Sequence, residues 1–306
     1  MSKVRMRPAQ AVDRPTVEAL CARAWEGEDY VPDVWDEWLA DPHGQLVVAE
    51  LESRVVGLAK LSRLADDEWW LEGLRVDPAH RRQGIACQLQ AHLLEKARQV
   101  GHGTLRLGTH SLNDPVHRIA AHDGFRHIAT YRFYRADPLP ATLPHSHTPT
   151  PVLLAEGDLL SAWALVSASP RYRAAGGLYE TFWKWENLTR ERLACHLAAG
   201  DVWGVYPGYE LAALALVCRA KEEDALDVGY VDGAEKPLVV LLRELRRLAA
   251  QLGHTEVRFK SVREPALAAA VEEAGYERSW DRDIWIFELQ LRLLLDGLAK
   301  LTEMLD

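Results

Sequence analysis

Residues with chemical capacity gather in one short run, Leu74-Arg75-Val76-Asp77-Pro78-Ala79-His80-Arg81-Arg82-Gln83-Gly84-Ile85-Ala86. An apolar strand ends at Pro78, a basic turn follows, and Gly84 opens a helix. The first turn of a helix carries backbone N–H groups without intrahelical acceptors, together with a partial positive charge. Gly84 has no side chain, so an anion can come close to the main chain there. Arg81 and Arg82 add permanent charge beside it. The combination suits a diphosphate cradled on the main chain at Gly84. The plain alternative is a basic surface turn ahead of a helix, and the turn alone does not separate the two.

Upstream on the strand, period-2 alternation puts Glu72 on the same face as Leu74 and Val76. A carboxylate there is a candidate general base; the other reading is an edge glutamate facing water or paired with an arginine. Glu68 is a weaker candidate, because Asp66-Asp67-Glu68 reads as a solvated turn. No Gly-x-Ser-x-Gly run and no Cys/His pairing offers a nucleophile. The four cysteines, Cys21, Cys87, Cys195 and Cys218, lack metal-ligand and disulfide spacing, so they read as reduced thiols and no metal site is expected.

The elements that must position these residues follow from patterning. Val4–Pro8 reads as a strand, and Asp13 as the N-cap of a helix running through Trp25. A second short helix fits Val31–Ala40. Strands are expected at Leu46–Leu51 and Arg54–Leu64, joined tightly at Glu52-Ser53, and at Trp69–Val76. The helix Ile85–Val100 has apolar residues at Ile85, Leu89, Leu93, Leu94 and Ala97, the period of one buried face. Thr104–Thr109 is a strand, Pro115–Asp123 a helix, and Phe125–Tyr134 strand again. This order implies an α/β (α+β) domain with helices on a partly antiparallel sheet.

With those elements in place, the segment resembles the GNAT family of acetyl-CoA-dependent N-acetyltransferases. Their signature is Gln/Arg-x-x-Gly-x-Gly/Ala after such a strand, and Arg81, Gly84 and Ala86 fill the three defined positions. A second landmark follows, Asn113 and then a helix ending Gly124-Phe125. The resemblance spans Val4 to about Arg135. It implies a mostly antiparallel sheet splayed at the strand containing Val76. The pantetheine of acetyl-CoA would pair with backbone around Leu74 and Val76, the pyrophosphate would sit on Gln83 to Ala86, and Asn113 would lie near the thiol. An amine acceptor would attack the thioester directly. Many members carry a tyrosine acid in the last helix; here that position is Ala120. Tyr131, Tyr134, His117 and His122 are the remaining candidates for chemistry, each with a packing or surface reading beside it. An acidic, aromatic mouth at Glu26-Gly27-Glu28-Asp29-Tyr30 with Trp35 and Trp38 would suit a cationic amine; a solvated loop beside two core tryptophans is the alternative.

Asp137 to Pro151 holds five prolines among short polar residues and reads as a linker. The expected domains are 1–137, with the acetyl-CoA site, and 152–306, joined by 138–151. The halves repeat. Gln99-Val100-Gly101-His102 matches Gln251-Leu252-Gly253-His254, and Ala120 to Phe125 matches Val271 to Tyr276. Two tandem GNAT-like domains are therefore expected. Placing Leu226-Asp227-Val228 on Leu74-Arg75-Val76 puts the second loop at Gly233–Leu238, where Glu235, Lys236 and Pro237 oppose an anion. The second copy reads as degenerate, with Glu264 where Asn113 was. Tyr172, Tyr179, Trp183 and Trp185 read as core or interface. Leu291–Leu305 is expected to be an amphipathic helix that caps the domain or pairs two chains as a homodimer.

Composition bounds the rest. The 306 residues are 48% hydrophobic and 26% charged, with net charge −9. The sign disfavours nucleic acid as a partner. No run long enough to cross a membrane and no leader pattern is seen, so a cytoplasmic location is expected. The function expected is acetyl transfer from acetyl-CoA to a primary amine by the first domain. Alternatives are a non-catalytic acyl-CoA-binding scaffold and an amino-sugar acetyltransferase resembling mycothiol synthase.

Overall fold

Runs rich in valine and leucine form strands because their side chains pack well on a half-buried pleated surface. In the computed structural model, which describes residues 4–24, 29–100, 102–140, 150–218 and 224–291, these strands build two compact units. The first comprises residues up to Gly108, Asp114–Arg126 and Phe287 onward; the second comprises Thr109–Asn113 and His127–Ile286. The sequence boundary at 137 does not follow these units. Strand Arg126–Ala136 lies almost wholly in the second, and Phe287–Leu291 belongs to the first.

In the first unit, β1 (Arg5–Pro8), β2 (Gln45–Leu51), β3 (Arg54–Ala65) and β4 (Glu68–Val76) are neighbours in that order, all antiparallel. The turn between β2 and β3 puts Glu52 and Ser53 at φ 50° and 63°, the twist that a two-residue hairpin needs. β5 (Gly103–His110) pairs with β4 in parallel, from Glu68↔Thr104 to Leu71↔Leu107. α1 (Arg14–Ala24) and α2 (Val31–Ala40) bury Val17, Leu20, Trp35 and Trp38 against Leu46, Val48 and Leu58. α3 (Ile85–Val100) packs against β2, β3 and β4, burying Ile85, Leu89, Leu93, Leu94 and Ala97 as its period requires. Asp13 does not cap α1: its carboxylate takes Arg7 at 2.7 and 2.8 Å and the Gln10 amide at 2.8 Å, closing the turn ahead of the helix. α4 (Asp114–His122) completes the helices. Buried Arg106 on β5 joins Glu68 at 2.6 Å to Glu288 at 2.9 Å, tying the chain's last described strand to β4.

The second unit repeats this plan. β6 (Arg126–Ala136) is followed by β7 (Val152–Leu153), α5 (Leu159–Ala168), α6 (Pro170–Ala174) and a hairpin of β8 (Leu178–Thr181) and β9 (Lys184–Asn187). Then come α7 (Arg190–Ala199), β10 (Val202–Val205), β11 (Ala213–Cys218), β12 (Ala225–Gly233) and α8 (Glu235–Leu252). β13 (Glu256–Val262), α9 (Pro265–Glu273), β14 (Glu277–Arg278) and β15 (Ile284–Leu291) are the last of the described elements. β12 and β13 pair in parallel, Ala225↔Glu256 to Val228↔Phe259, as β4 and β5 do. The repeat also holds in atomic detail. Phe125 N–H bonds Ala120 C=O at 2.9 Å and Tyr276 N–H bonds Val271 C=O at 3.0 Å. Each follows a glycine at positive φ, Gly124 at 87° and Gly275 at 78°, the ending that stops a helix.

Most of the proline-rich linker and all but the first residue of the expected helix Leu291–Leu305 lie outside the described residues; Leu291 itself ends β15. Among the described residues no helix is long and apolar enough to cross a membrane.

Candidate active site

The parallel register of β4 with β5 stops at Leu71↔Leu107. Beyond it the β4–β5 ladder does not continue, while β3 stays paired with β4 as far as Val76. On the β3 side, Lys60↔Glu72 is followed by Leu58↔Arg75 and Gly57↔Val76. Three residues of β4 are thus consumed for two of β3, a bulge centred on Gly73. Gly73 sits at φ 66°, and a Cβ there would lie 2.6 Å from the Trp38 ring.

The bulge corrects the face assignment read from the sequence. Strict alternation joins Glu72 to Leu74 and Val76, but the extra residue shifts the phase, so Glu72 shares its face with Arg75 instead. That face looks toward α1 and α2. Glu72 is half-buried, and Ser62 Oγ donates to its Oε1 at 2.6 Å. Leu74 and Val76 are partly exposed. Lys60, wholly buried on the neighbouring strand, is tied to Asp41 and to the Trp38 carbonyl.

The turn after β4 is anchored at both ends. Asp77 N–H bonds Val56 C=O at 2.9 Å, and its carboxylate accepts from Ala79 N–H at 2.9 Å and Arg23 at 2.7 Å. Burial raises the Asp77 pKa, but Arg23 and the Ala79 amide outweigh it and hold the carboxyl below its usual range. Arg81 reaches back to the Ala24 carbonyl at 2.9 Å, so its charge caps α1. Arg82 and Gly84 both take left-handed backbone, φ 62° and 76°. Gln88 N–H bonds Gly84 C=O at 3.0 Å, starting α3. The amides of Arg82, Gln83, Gly84, Ile85, Ala86 and Cys87 have no acceptor among the described residues. A Cβ on Gly84 would meet nothing nearer than Gln88 Nε2 at 3.9 Å. The main chain is therefore exposed to an approaching anion, and the residues fit a diphosphate.

Other expected residues fall elsewhere. Asn113 belongs to the second unit, where its Nδ2 donates to Thr109 Oγ1 at 2.9 Å. Tyr131 and Tyr134 are buried there, Tyr131 donating to the Ala175 carbonyl at 3.1 Å. Ala120 is wholly buried. His117 packs against Phe287 at 5.6 Å, and exposed His122 bonds Asp123 at 2.8 Å. Glu68 is buried with Arg106 and is not a solvated turn residue. Trp35 and Trp38 are core, and of the acidic mouth only Asp29 and Tyr30 are among the described residues. Asp29 takes Arg75 through two hydrogen bonds of 2.8 and 3.0 Å, and the Arg75 guanidinium lies 5.5 Å over the Tyr30 ring. Sequence reasoning named Asp29 and Tyr30 only as part of a mouth, because the bulge that aims Arg75 at them has no local signal beyond Gly73.

The second unit departs from the loop expected in it. By strand register, Val231-Asp232-Gly233 stand where Leu74-Arg75-Val76 stand, not Leu226-Asp227-Val228. Both frames put an aspartate between two small or apolar residues, Asp227 in one and Asp232 in the other, and only pairing fixes the frame. β12 then passes through a single residue, Ala234, into α8. The turn is absent, not merely substituted. Buried Arg171 bridges Asp232 at 2.9 Å to Glu264 at 2.8 Å. Glu264 also accepts from Ala266 and Leu267 N–H, capping α9.

The chain matches the model of the acetyltransferase (GNAT) family over residues 14–125. It is 31% identical over 119 residues to the N-alpha-acetyltransferase RimI of Mycobacterium tuberculosis, which covers 38% of this chain and 73% of that protein. Among solved structures, a GCN5-related N-acetyltransferase from Sphaerobacter thermophilus aligns with a TM-score of 0.64 at 14% identity, over 94% of this chain and 96% of that one. A tandem GNAT protein from the clavulanic acid biosynthesis pathway aligns at TM-score 0.57 and 17% identity, over 95% and 99%. These likenesses carry the fold of both halves, and the sequence relative carries the family. With its family model matched and this relative covered over 73% of its length, the chain belongs to the GNAT acetyltransferase family and is an N-acetyltransferase.

Proposed function

We propose that the protein moves an acetyl group from acetyl-CoA to a primary amine, at a site carried by the first unit. The run of amides from Arg82 to Cys87 without intramolecular acceptors supports this most directly. The diphosphate is held by the amides of Gln83, Gly84, Ile85 and Ala86, with Arg82 close by and Arg81 fixing the turn. The pantetheine arm lies beside β4 past the end of its ladder with β5, at Leu74 and Val76. That stretch, Glu72 to Val76, is roughly 13 Å long, and it brings the thioester toward Gly73. Acetyl-CoA supplies the activated acyl group when bound.

Glu72 serves as the base that takes a proton from the incoming ammonium. Ser62 orients its carboxylate. The second unit takes no part in cofactor binding, since the turn is missing and Arg171 with Asp232 and Glu264 fills the strand–helix junction.

Isothermal titration with acetyl-CoA tests the reading. One molecule should bind per chain, and Gly84→Glu should weaken binding about 100-fold, because a carboxylate then stands against the open amides. Absence of binding, or binding indifferent to Gly84→Glu, overturns the proposal. A panel of amines with detection of free thiol then identifies the acceptor.

A further inference from the structure

The bulge of β4 has a wall set against it. A Cβ on Gly73 would lie 2.6 Å from both Cζ3 and Cη2 of Trp38, so an edge of the indole meets the strand where Gly73 has no side chain. Trp38 is 4% exposed, and its neighbours hold it from several sides. The Tyr30 ring stands edge-on to it, centroids 5.9 Å apart at 86°. Lys60, wholly buried, donates to the Trp38 carbonyl at 3.4 Å and pairs with Asp41 one turn further on. Trp35, Leu46 and Leu58 share its buried cluster. A ring packed in this way yields little, because forcing even one methylene into a filled core displaces its neighbours. Gly73 itself lies two residues past Leu71↔Leu107, the last rung of the ladder with β5, about 7 Å along the strand.

We propose that Trp38 is a specificity-determining residue that sets the length of the acyl group, admitting acetyl and turning away longer chains. The inference rests on the acetyl-CoA reading above, which brings the thioester toward Gly73. Gly73 leaves room for the acyl carbonyl to reach the strand, and the indole edge closes that room behind it. An acetyl group ends one methyl beyond its carbonyl carbon and fits against the edge. Propionyl adds one methylene and butyryl two, and each has to enter space the ring already fills. Trp38 makes and breaks no bond; proton removal stays with Glu72.

Isothermal titration of the full-length protein with acetyl-, propionyl- and butyryl-CoA reads the wall directly. The native protein should bind butyryl-CoA about 10-fold more weakly than acetyl-CoA, with propionyl-CoA between them. In turnover with an amine from the panel above, kcat/KM should fall about 10-fold for propionyl and about 100-fold for butyryl. Trp38→Leu opens the space, so both gaps between butyryl and acetyl should shrink to about threefold or less. Trp38→Phe should fall between, and it replaces Trp38→Leu if circular dichroism shows that variant unfolded. Each ratio is taken within one protein, so a smaller folded fraction does not move it. Equal use of acetyl- and butyryl-CoA by the native protein, or ratios unchanged in the folded variants, overturns the role of Trp38 alone. A native protein that binds none of the three thioesters overturns the underlying reading as well, so the two failures are distinguishable.

Discussion

In the proposed reaction Glu72 and Gly84 act in opposite ways, one through its side chain and one through having none. At Glu72 the carboxylate is held by Ser62 on a face turned toward α1 and α2. Glu72→Gln keeps the hydrogen bond but cannot accept a proton. Its kcat should fall about 100-fold with the acetyl-CoA KM unchanged. Steady-state turnover assays on both proteins check it. At Gly84 the neighbourhood is open, so size is tolerated and only the backbone objects. Gly84→Ala should cost about 1–2 kcal/mol of stability through φ 76°, measured by urea unfolding. The damage from Gly84→Glu is instead electrostatic and appears in cofactor affinity.

Two elements decide where these residues point: the bulge in β4 and the turn that follows it. The bulge exists because Gly73 tolerates both φ 66° and the Trp38 ring against it. Gly73→Ala drives a methyl into that ring and should destabilise the protein by about 1–3 kcal/mol in thermal unfolding. It should also lower kcat, since Glu72 and Arg75 turn with the strand. The turn is pinned through Asp77, whose carboxyl is held below its usual range by Arg23 and the Ala79 amide against the opposing effect of burial. A depressed carboxyl contributes stability above its unfolded pKa, about 3.9, and that contribution is lost as pH falls through the lower folded value. Asp77→Asn should therefore cost about 1–2 kcal/mol at pH 7. The gap to the native protein should close in acid, as melting curves from pH 7 down to about pH 3 would show.

Across the whole chain, the compact units cut across the order of the sequence. Arg106 is buried with Glu68 and with Glu288, which lies far along the chain, and the first unit takes in Phe287–Leu291. A fragment ending at Asp137 would lack Glu288 and the strand beside β5. It would also carry strand β6 without β13, its antiparallel neighbour in the second unit. Such a fragment should not unfold cooperatively, by circular dichroism, at temperatures where the full chain does. The second unit keeps its junction closed with Arg171. Arg171→Met leaves buried Asp232 and part-buried Glu264 without their cation and should cost about 3 kcal/mol. Acetyl-CoA should still bind one per chain in that variant, because the open turn lies in the other unit.

From sequence alone came the strand and helix identities, the duplicated halves, and the turn with Gly84. All are written locally: apolar period, glycine at helix ends, and a basic run between a strand and a helix. The same information placed α3 and its buried face correctly. What no local pattern could decide was phase and partner. One extra residue at Gly73 moved Glu72 from the face of Leu74 to that of Arg75, and Asp29 and Tyr30 then met Arg75 from a distant loop. In the second half, strand pairing moved the frame away from Leu226-Asp227-Val228 and left Ala234 as the whole connection to α8. Register is a property of two strands together, set by the backbone hydrogen bonds between them and the core they jointly cover, so it belongs to the tertiary structure.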